Sequence, residues 1–358
     1  MVEWKKLGSL CDIGTGSNNR EDANDNGAYP FFVRSKEILR IDKYLFDEEA
    51  ILIPGEGGVG EIFHYINGKY GLHQRTYRVH PTSNEILGRY IYFYLFEKFK
   101  FYIERKSFKS TATSIRKPML TEFPIAIPSL SEQERIVGIL DTFTASIDNL
   151  KGQIAQRRKQ FEFYRDQLLD LEGKQGVEMK RLGDIGEICM CKRIMKNQTS
   201  ENGEIPFFKI GTFGGKADAY ISRKLFEEYR IKYSYPQKGD ILISAAGTIG
   251  RSITFDGKDA YFQDSNIVWI SNNEEIVSNR YLYYFYQIAE WKTDGGTIKR
   301  LYNYNLKNTS LPVPSHSRQE RIVSILDTFE ESISNLEAQL EQRQKQYEYY
   351  RNQLLTFE

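Results

Sequence analysis

The chain has little of what marks a catalytic or an extracellular protein. It holds three cysteines in 358 residues, Cys11, Cys189 and Cys191. So odd and sparse a set excludes a disulfide framework, and Cys189-Met-Cys191 lacks the second ligand pair of a zinc site, so reduced thiols are expected. The histidines His64, His73, His80 and His316 show no metal-ligating spacing. No run approaches the ~20 apolar residues of a membrane span, and residues 1–10 have no apolar signal core, which makes the cytoplasm the expected location. Acceptor-like triplets at Asn197 and Asn308 are read as chance matches. There is no Asn/Asp-Pro-Pro-aromatic loop of an adenine methyltransferase. Gly257-Lys258 is followed by Asp259, which rules out a phosphate-binding P-loop. Glu-x-Lys triplets at Glu3, Glu172, Glu178 and Glu290 recur in too many contexts to form a nuclease site. The chain is therefore read as having no catalytic residue, metal or cofactor of its own.

Charge of one sign is missing as well. The 49 Lys and Arg nearly balance the 48 Asp and Glu, for a formal net charge of +1. Any nucleic-acid contact must then come from locally clustered bases. Aromatic residues are abundant, with 24 Tyr and 22 Phe, material for both cores and flat contact surfaces.

What the sequence does have is repetition, the feature to look for first. SEQERIVGILDTF from Ser131 returns as SRQERIVSILDTF from Ser317, and QRRKQFEFYRDQLL from Gln156 returns as QRQKQYEYYRNQLL from Gln342, at one constant offset of 186 residues. Upstream segments repeat more loosely: Pro30-Phe31-Phe32 and Pro206-Phe207-Phe208, Ala50-Ile51-Leu52-Ile53 and Asp240-Ile241-Leu242-Ile243, Arg89-Tyr90-Ile91-Tyr92 and Arg280-Tyr281-Leu282-Tyr283. The order is divergent domain, near-identical segment, divergent domain, near-identical segment.

The near-identical segments read as long helices. Ser131 with Glu134, and Ser317 with Glu320, have the spacing of a capping box. Apolar residues then alternate at four and three: Ile136, Leu140, Phe143, Ile147, Leu150, Ile154, Phe161, Tyr164 and Leu168, and in the second copy Ile322, Leu326, Phe329, Ile333, Leu336, Leu340, Tyr347, Tyr350 and Leu354. This is a heptad seam, interrupted at the same place by Arg157 and by Arg343. Helices of about 40 residues would be about 60 Å long. Val137, Ile139, Phe163 and Leu169, with Val323, Ile325, Tyr349 and Leu355, lie off the seam and are expected to touch the flanking domains or a partner's helices. The domains read as mixed α/β, with strands at 51–54 and 241–244 and helices at 89–98 and 280–290. The expected organisation is a first recognition domain over 1–130, a central helix over 131–171, a linker over 172–178, a second recognition domain over 179–316 and a C-terminal helix over 317–358. Like helices joined across a whole domain favour an antiparallel, pseudo-twofold pair with an unlike domain at each end. Such an object suits a two-part DNA target with different halves and an unread spacer. A two-headed scaffold that binds proteins would show the same layout.

The whole chain resembles the specificity subunits of type I restriction–modification systems. The residues that carry the resemblance are Pro128-Ser-Leu-Ser-Glu-Gln-Glu-Arg-Ile-Val and Pro314-Ser-His-Ser-Arg-Gln-Glu-Arg-Ile-Val, with Gly239-Asp-Ile-Leu-Ile-Ser-Ala-Ala-Gly-Thr-Ile-Gly250 and its first-domain counterpart Ile51-Leu-Ile-Pro-Gly-Glu-Gly-Gly-Val-Gly60. The first Gly-rich loop departs from the second by carrying Glu56. The resemblance implies two target-recognition domains and an assembly with double-stranded DNA, two methyltransferase subunits and restriction–translocase subunits. S-adenosylmethionine, ATP and magnesium would then be held by those partners.

Base edges are read by Arg, Lys, Asn and Gln, and phosphates are held by Lys, Arg and hydroxyls. Expected DNA contacts in the first domain are Arg20, Arg34, Lys36, His73, Gln74 and Arg75, with Lys106, Lys109 and Arg116 on phosphates. In the second domain they are Lys192, Arg193, Lys209, Lys216, Arg251, Gln263, Lys299, Arg300 and Tyr302. Thr111 and Thr297 fall at equivalent positions under the 186-residue offset. The Gly-rich stretches 55–60 and 247–250 read as tight turns between strands.

Overall fold

The computed structural model describes residues 2–106, 114–295 and 299–357. The chain folds as two compact units, one formed by Met1–Gln153 with Leu336–Glu358, the other by Ile154–Asn335.

Unit 1 begins with β1 (Glu3–Lys6), β2 (Cys11–Thr15), β3 (Tyr29–Phe32), β4 (Ile38–Ile41), β5 (Phe46–Pro54), β6 (His64–Leu72) and β7 (Thr76–Pro81). Helices α1 (Gly88–Lys106) and α2 (Lys117–Thr121), strand β8 (Pro124–Ile127) and the long helix α3 (Leu130–Leu169) follow. Six strands form one sheet in the order β2-β7-β5-β6-β3-β4, while β1 pairs with β8. All these pairings are antiparallel except β3 with β6. Side chains alternate across β5, so both sheet faces are apolar. Ile51 and Ile53 join the core under α1, while Ala50 and Leu52 pack with Phe32, Tyr70 and Leu72 on the other face. Helix α1 buries Tyr90, Ile91, Phe93, Tyr94, Leu95 and Phe99, so its N-terminal half is apolar on more than one side, as a helix segment packed on several sides must be.

Unit 2 repeats this plan with β9 (Val177–Arg181), β10 (Gly186–Cys189), β11 (Ile205–Phe208), β12 (Tyr220–Ile221), α4 (Arg223–Lys232), β13 (Ile241–Ser244), β14 (Ser252–Thr254), β15 (Tyr261–Phe262) and β16 (Ile267–Asn272). It continues with α5 (Asn279–Tyr286), α6 (Asn303–Lys307), β17 (Ser310–Pro314) and the long helix α7 (His316–Leu354). Where unit 1 has the single strand β6, unit 2 has β14 and β15, parted by 255–260. Its sheet is accordingly split into β10-β16-β13-β14 and β12-β11-β15, with β9 paired to β17. Ile241 and Ile243 face one core, and Leu242 faces the other with Trp269.

The same polar joint ties the start of each long helix to its own domain. Gln133 is fully buried: its Oε1 accepts from the Leu87 amide at 2.9 Å, and its Nε2 donates to the carbonyls of Glu85 (2.8 Å) and Pro128 (3.0 Å). Gln319 repeats this with the Ser278 amide (2.9 Å) and the carbonyls of Ile276 and Pro314 (3.0 Å each). Arg89 pairs with Asp141, and Arg280 pairs with Asp327 and Glu330. The Tyr90 hydroxyl donates to Ala126 O and the Tyr281 hydroxyl to Pro312 O.

In each unit the two helical segments run antiparallel. In unit 1, Ile136 and Leu140 share a core with Leu355, whereas Phe143 stacks on Tyr350 at 5.4 Å and lies 6.4 Å from Tyr347. Further along, Ser146, Asn149 and Gln153 share a polar recess with Gln339, Gln342 and Gln346. In unit 2, Leu168 and Leu169 pack with Ile322 and Leu326, and Tyr164 stacks on Phe329 at 5.4 Å. The arginines that interrupt the seam lie over aromatic rings: Arg343 is 5.6 Å from Phe143 in unit 1 and Arg157 is 5.7 Å from Phe329 in unit 2. A guanidinium over a ring face is held by cation–π attraction, so these positions belong to the packed seam.

Several boundaries differ from the sequence reading. The helices begin earlier than the Ser131 and Ser317 boxes imply, because each starts directly after a Pro-Ser step. Ser129 Oγ, not Ser131, accepts the first-turn amide of Glu132 at 3.3 Å. Helix α5 starts at Asn279 behind the Ser278 cap and stops at Tyr286, short of the expected 290, while α1 runs on to Lys106. Val177 and Glu178, assigned to a linker, open β9.

Candidate nucleic-acid interface

In unit 1 four connections converge. Asn18 bridges to His73, and the Gln74 amide donates to Asn18 O at 2.9 Å. Gln74 Nε2 donates to Asn19 Oδ1 at 2.7 Å. The Gly55 amide donates to Arg75 O at 2.9 Å, and the Ile115 amide to Gly55 O at 2.7 Å. The turn between β5 and β6 can make these approaches because Gly57, Gly58 and Gly60 adopt positive φ, a backbone state open to glycine. The result gathers Arg34 and Arg75 around Glu56, while Gln74 is held on Asn19. Both arginines contact the Glu56 carboxylate at 3.0 Å. Arg75 first, and then Arg34, hold that carboxyl below the ordinary range.

Other expected residues of unit 1 take varied positions. His73 is buried, and its Nδ1 accepts the Arg75 amide at 3.0 Å. It shapes the loop from within and does not face solvent as a base reader would. Arg20 lies exposed in a short 3-10 turn, with no ion-pair partner among the described residues. Lys36 is exposed and acts on Glu61, which is paired with Lys100. Arg116 is exposed beside Ser114, which bridges to Glu56. Lys106 is the last residue of α1, and Lys109 lies outside the described residues, as do Thr111 and Thr297.

In unit 2, Arg193, Lys209, Gln263 and Arg300 line one groove of about 510 Å³. Arg193 pairs with Asp264 at 2.9 Å and Lys209 with Asp218 at 2.8 Å. Gln263 Oε1 accepts the Ile210 amide at 2.9 Å. Arg300 Nη2 donates to Asn266 Oδ1 at 2.8 Å and to Ser265 O at 3.2 Å. Lys196, Thr199, Ser265 and Asn266 line the same groove, although the sequence did not single them out. Lys192 instead lies over the Tyr233 ring, and Arg251 donates to Gly214 O. Lys216, Lys299 and Tyr302 are exposed outside the groove. Both clusters match positive side chains with nearby acceptors, which fits a chain whose net charge is only +1.

The helix residues divide in the same way. Ile136, Leu140, Ile322 and Leu326 are buried, and Ile147 nearly so. Phe143, Leu150, Phe161, Phe329, Ile333, Leu336 and Tyr347 are half-buried, while Tyr164 and Tyr350 remain largely exposed. Of the off-seam residues, Leu169 and Leu355 are buried in the domain cores and Val137 and Val323 pack against them, but Phe163 and Tyr349 face solvent. No group of three His, Cys, Asp or Glu among the described residues is arranged to hold a metal ion. No helix among them is long and apolar enough to cross a membrane.

The family model for the type I restriction modification DNA specificity domain matches residues 1–157 and again 174–344. A type I restriction enzyme specificity subunit of Haemophilus influenzae is 44% identical over 373 residues, covering 99% of this chain and 96% of that protein. A type I specificity subunit of Mycoplasma pneumoniae is 25% identical over 369 residues, with 99% and 98% covered. Among solved structures, the S subunit of a type I restriction–modification system from M. genitalium shares the fold at TM-score 0.68 and 18% identity, covering 100% of this chain and 97% of that one. A chain from a structure on complex assembly and conformational transition of the type I system matches at TM-score 0.58 and 14% identity, with 99% and 97% covered.

Proposed function

This chain belongs to the type I restriction–modification DNA specificity family, and from that premise we propose that its domains, 1–130 and 179–316, each read one half of an asymmetric two-part DNA target through the major groove. One observation carries the proposal. The same scaffold is built twice, and the two copies present different polar sets: Arg34 and Arg75 on Glu56, with Gln74 on Asn19, in one, and Arg193, Lys209, Gln263 and Arg300 along a groove in the other. A repeated frame with unlike tips suits two unlike half-sites. Direct readout needs donors and acceptors at base edges, and both sets are made of side chains that carry such groups.

The long helices set the spacer and dock two methyltransferase subunits, to which restriction–translocase subunits add. The exposed rings Phe163, Tyr164, Tyr349 and Tyr350 are aromatic surface of the kind enriched at protein interfaces. Chemistry resides in those partners, which hold S-adenosylmethionine, ATP and magnesium. This chain supplies recognition and no catalytic group, and it acts in the cytoplasm.

Binding-site selection on the full chain, co-purified with its methyltransferase subunit, tests this reading. Arg75→Ala is expected to alter one half-site and Arg300→Ala the other, each lowering cognate affinity about 10- to 100-fold, the size of one good base contact. Unchanged half-site preferences in both variants would remove these residues from the reading surface. If the chain were a protein-binding scaffold, its deletion would leave adenine methylation in the genome unchanged.

A further inference from the structure

The departure of the first Gly-rich loop from the second has a chemical content of its own. Glu56 is an acidic residue at the centre of a surface otherwise built to meet an anion. Arg34 Nη1 donates to its Oε2 at 3.0 Å, and Arg75 Nη1 donates to Oε2 at 3.0 Å and to Oε1 at 3.3 Å. The row is held from behind. The Gly55 amide bonds to Arg75 O, the Arg75 amide bonds to His73 Nδ1, and the His73 amide bonds to Phe32 O at the end of β3. The three charged side chains nonetheless remain open to solvent, at 43% for Arg34, 39% for Glu56 and 56% for Arg75. In unit 2 the carboxylate of the groove, Asp264, is only 17% exposed and takes Arg193, while Arg300 is bonded to neutral acceptors.

If phosphate were the only object of Arg34 and Arg75, a carboxylate between them would oppose binding. Base edges pose a different demand. Across the major groove a G·C pair presents two acceptors on guanine, N7 and O6, and then one donor, the N4 amine of cytosine. An arginine fork offers two donors, and an adjoining carboxylate offers an acceptor. We propose that Arg75 and Glu56 act as one unit that reads a single G·C pair in the half-site of the first domain, with Arg75 on guanine and Glu56 on the cytosine amine. Arg34 shares Oε2 with Arg75 and helps fix the plane of the carboxylate, which leaves Oε1 the less engaged oxygen. An A·T pair is rejected twice, because the adenine N6 amine meets Arg75 and the thymine O4 meets Glu56. This inference rests on the reading of the 73–75 loop as a base-contacting loop, and it adds Glu56 as a specificity-determining residue together with the class of base pair it selects.

The experiment is binding-site selection from a randomised duplex library with the full chain and its methyltransferase subunit. Wild type, Arg75→Ala and Glu56→Gln are compared, and melting curves are taken for all three. Wild type is expected to select at least one invariant G·C pair in the half-site read by domain 1. Glu56→Gln keeps the shape but both donates and accepts, so discrimination between G·C and A·T at one position should fall about tenfold, the size of one lost base-edge contact, with the other half-site unchanged. A half-site without an invariant G·C pair overturns the proposal. So does a Glu56→Gln variant that binds all sequences more tightly by the same factor, because Glu56 would then only damp charge. If Arg75→Ala shifts the selected bases and Glu56→Gln does not, the pairing fails while the loop's reading role stands. If neither variant shifts them, the reading role of the loop fails as well. A fall in melting temperature for Glu56→Gln with selection unchanged would make Glu56 a loop brace, and would also overturn the assignment.

Discussion

His73 is 5% exposed and uses its Nδ1 as an acceptor for the Arg75 amide, so the ring must carry its single proton on Nε2. Burial is the main force holding its pKa below the ordinary 6.5, with Arg34 and Arg75 adding to it. His64, the first residue of β6 and bonded to Ser35 O at 3.1 Å, is lowered by burial in the same direction. For a group whose folded pKa is depressed, the unfolded chain binds more protons below the free value, so stability is lost as pH falls. Denaturant midpoints should therefore decline as pH drops below 6.5, and His73→Gln should flatten part of that decline. A slope unchanged by His73→Gln would show that the ring is not held neutral. The sequence marked His73 because it adjoins Gln74 and Arg75, but adjacency does not reveal direction. Successive strand-end residues point to opposite sides, and here one of three neighbours turns inward to shape the other two. The thiols were easier to read. Burial pushes Cys11 up to about 12 and is the largest force raising Cys191 to the same range, which keeps them protonated and unreactive.

At the scale of elements, the buried glutamines do what the apolar stripes of the long helices cannot. A heptad seam lets a helix slide by a turn, whereas three hydrogen bonds to fixed backbone atoms allow one register. Replacing Gln319 by Leu orphans the Ser278 amide and the Ile276 and Pro314 carbonyls. At about 1–3 kcal/mol for each buried polar group left unmade, with solvent relieving part of it, Gln319→Leu should destabilise unit 2 by about 3 kcal/mol. Urea melts followed by tyrosine fluorescence would measure this, and a change below about 0.5 kcal/mol would mean that the joint contributes little. The existence and length of α3 and α7 were legible because apolar residues recur through 40 and 39 residues. Their first turns were misplaced because two serines, Ser129 and Ser131, both stand near the start. The split of β6 into β14 and β15 was not legible, since hydrophobic alternation in short strands does not say which strand continues into the next. The reading clusters were half legible. Sequence can name the arginines, but Glu56 and Asn266 meet them only because the fold brings together loops that lie far apart in the chain.

At the scale of the whole molecule, unit 1 is discontinuous. Residues 336–358 come from the end of the chain and complete a core begun by the first 153 residues. Arg351 Nε donates to Glu97 at 2.6 Å, and Asn352 Nδ2 to the same carboxylate at 3.0 Å. Glu97 is 8% exposed, so removal of the arginine would leave a buried charge half-paired. Arg351→Ala should destabilise unit 1 by about 3 kcal/mol and raise amide hydrogen exchange in α1, while exchange in β13 and β16 stays unchanged. Equal protection of α1 in wild type and variant would refute a closing role for the C-terminal segment. The position equivalent to Arg351 in the other copy is Arg165, which pairs with the exposed Asp166 at 2.8 Å and meets the neutral Gln287 at 3.4 Å, so the analogous substitution there strands no buried charge and should be milder.

That discontinuity also fixes a timetable. During translation the nascent chain releases all of Ile154–Asn335 before Leu336 leaves the ribosome. The later-born unit can therefore mature first. The earlier-born one waits with Leu140 and Phe143 uncovered until residues 336–358 arrive, and the interval is a window in which chaperones, or the same segment of another copy, compete for that surface.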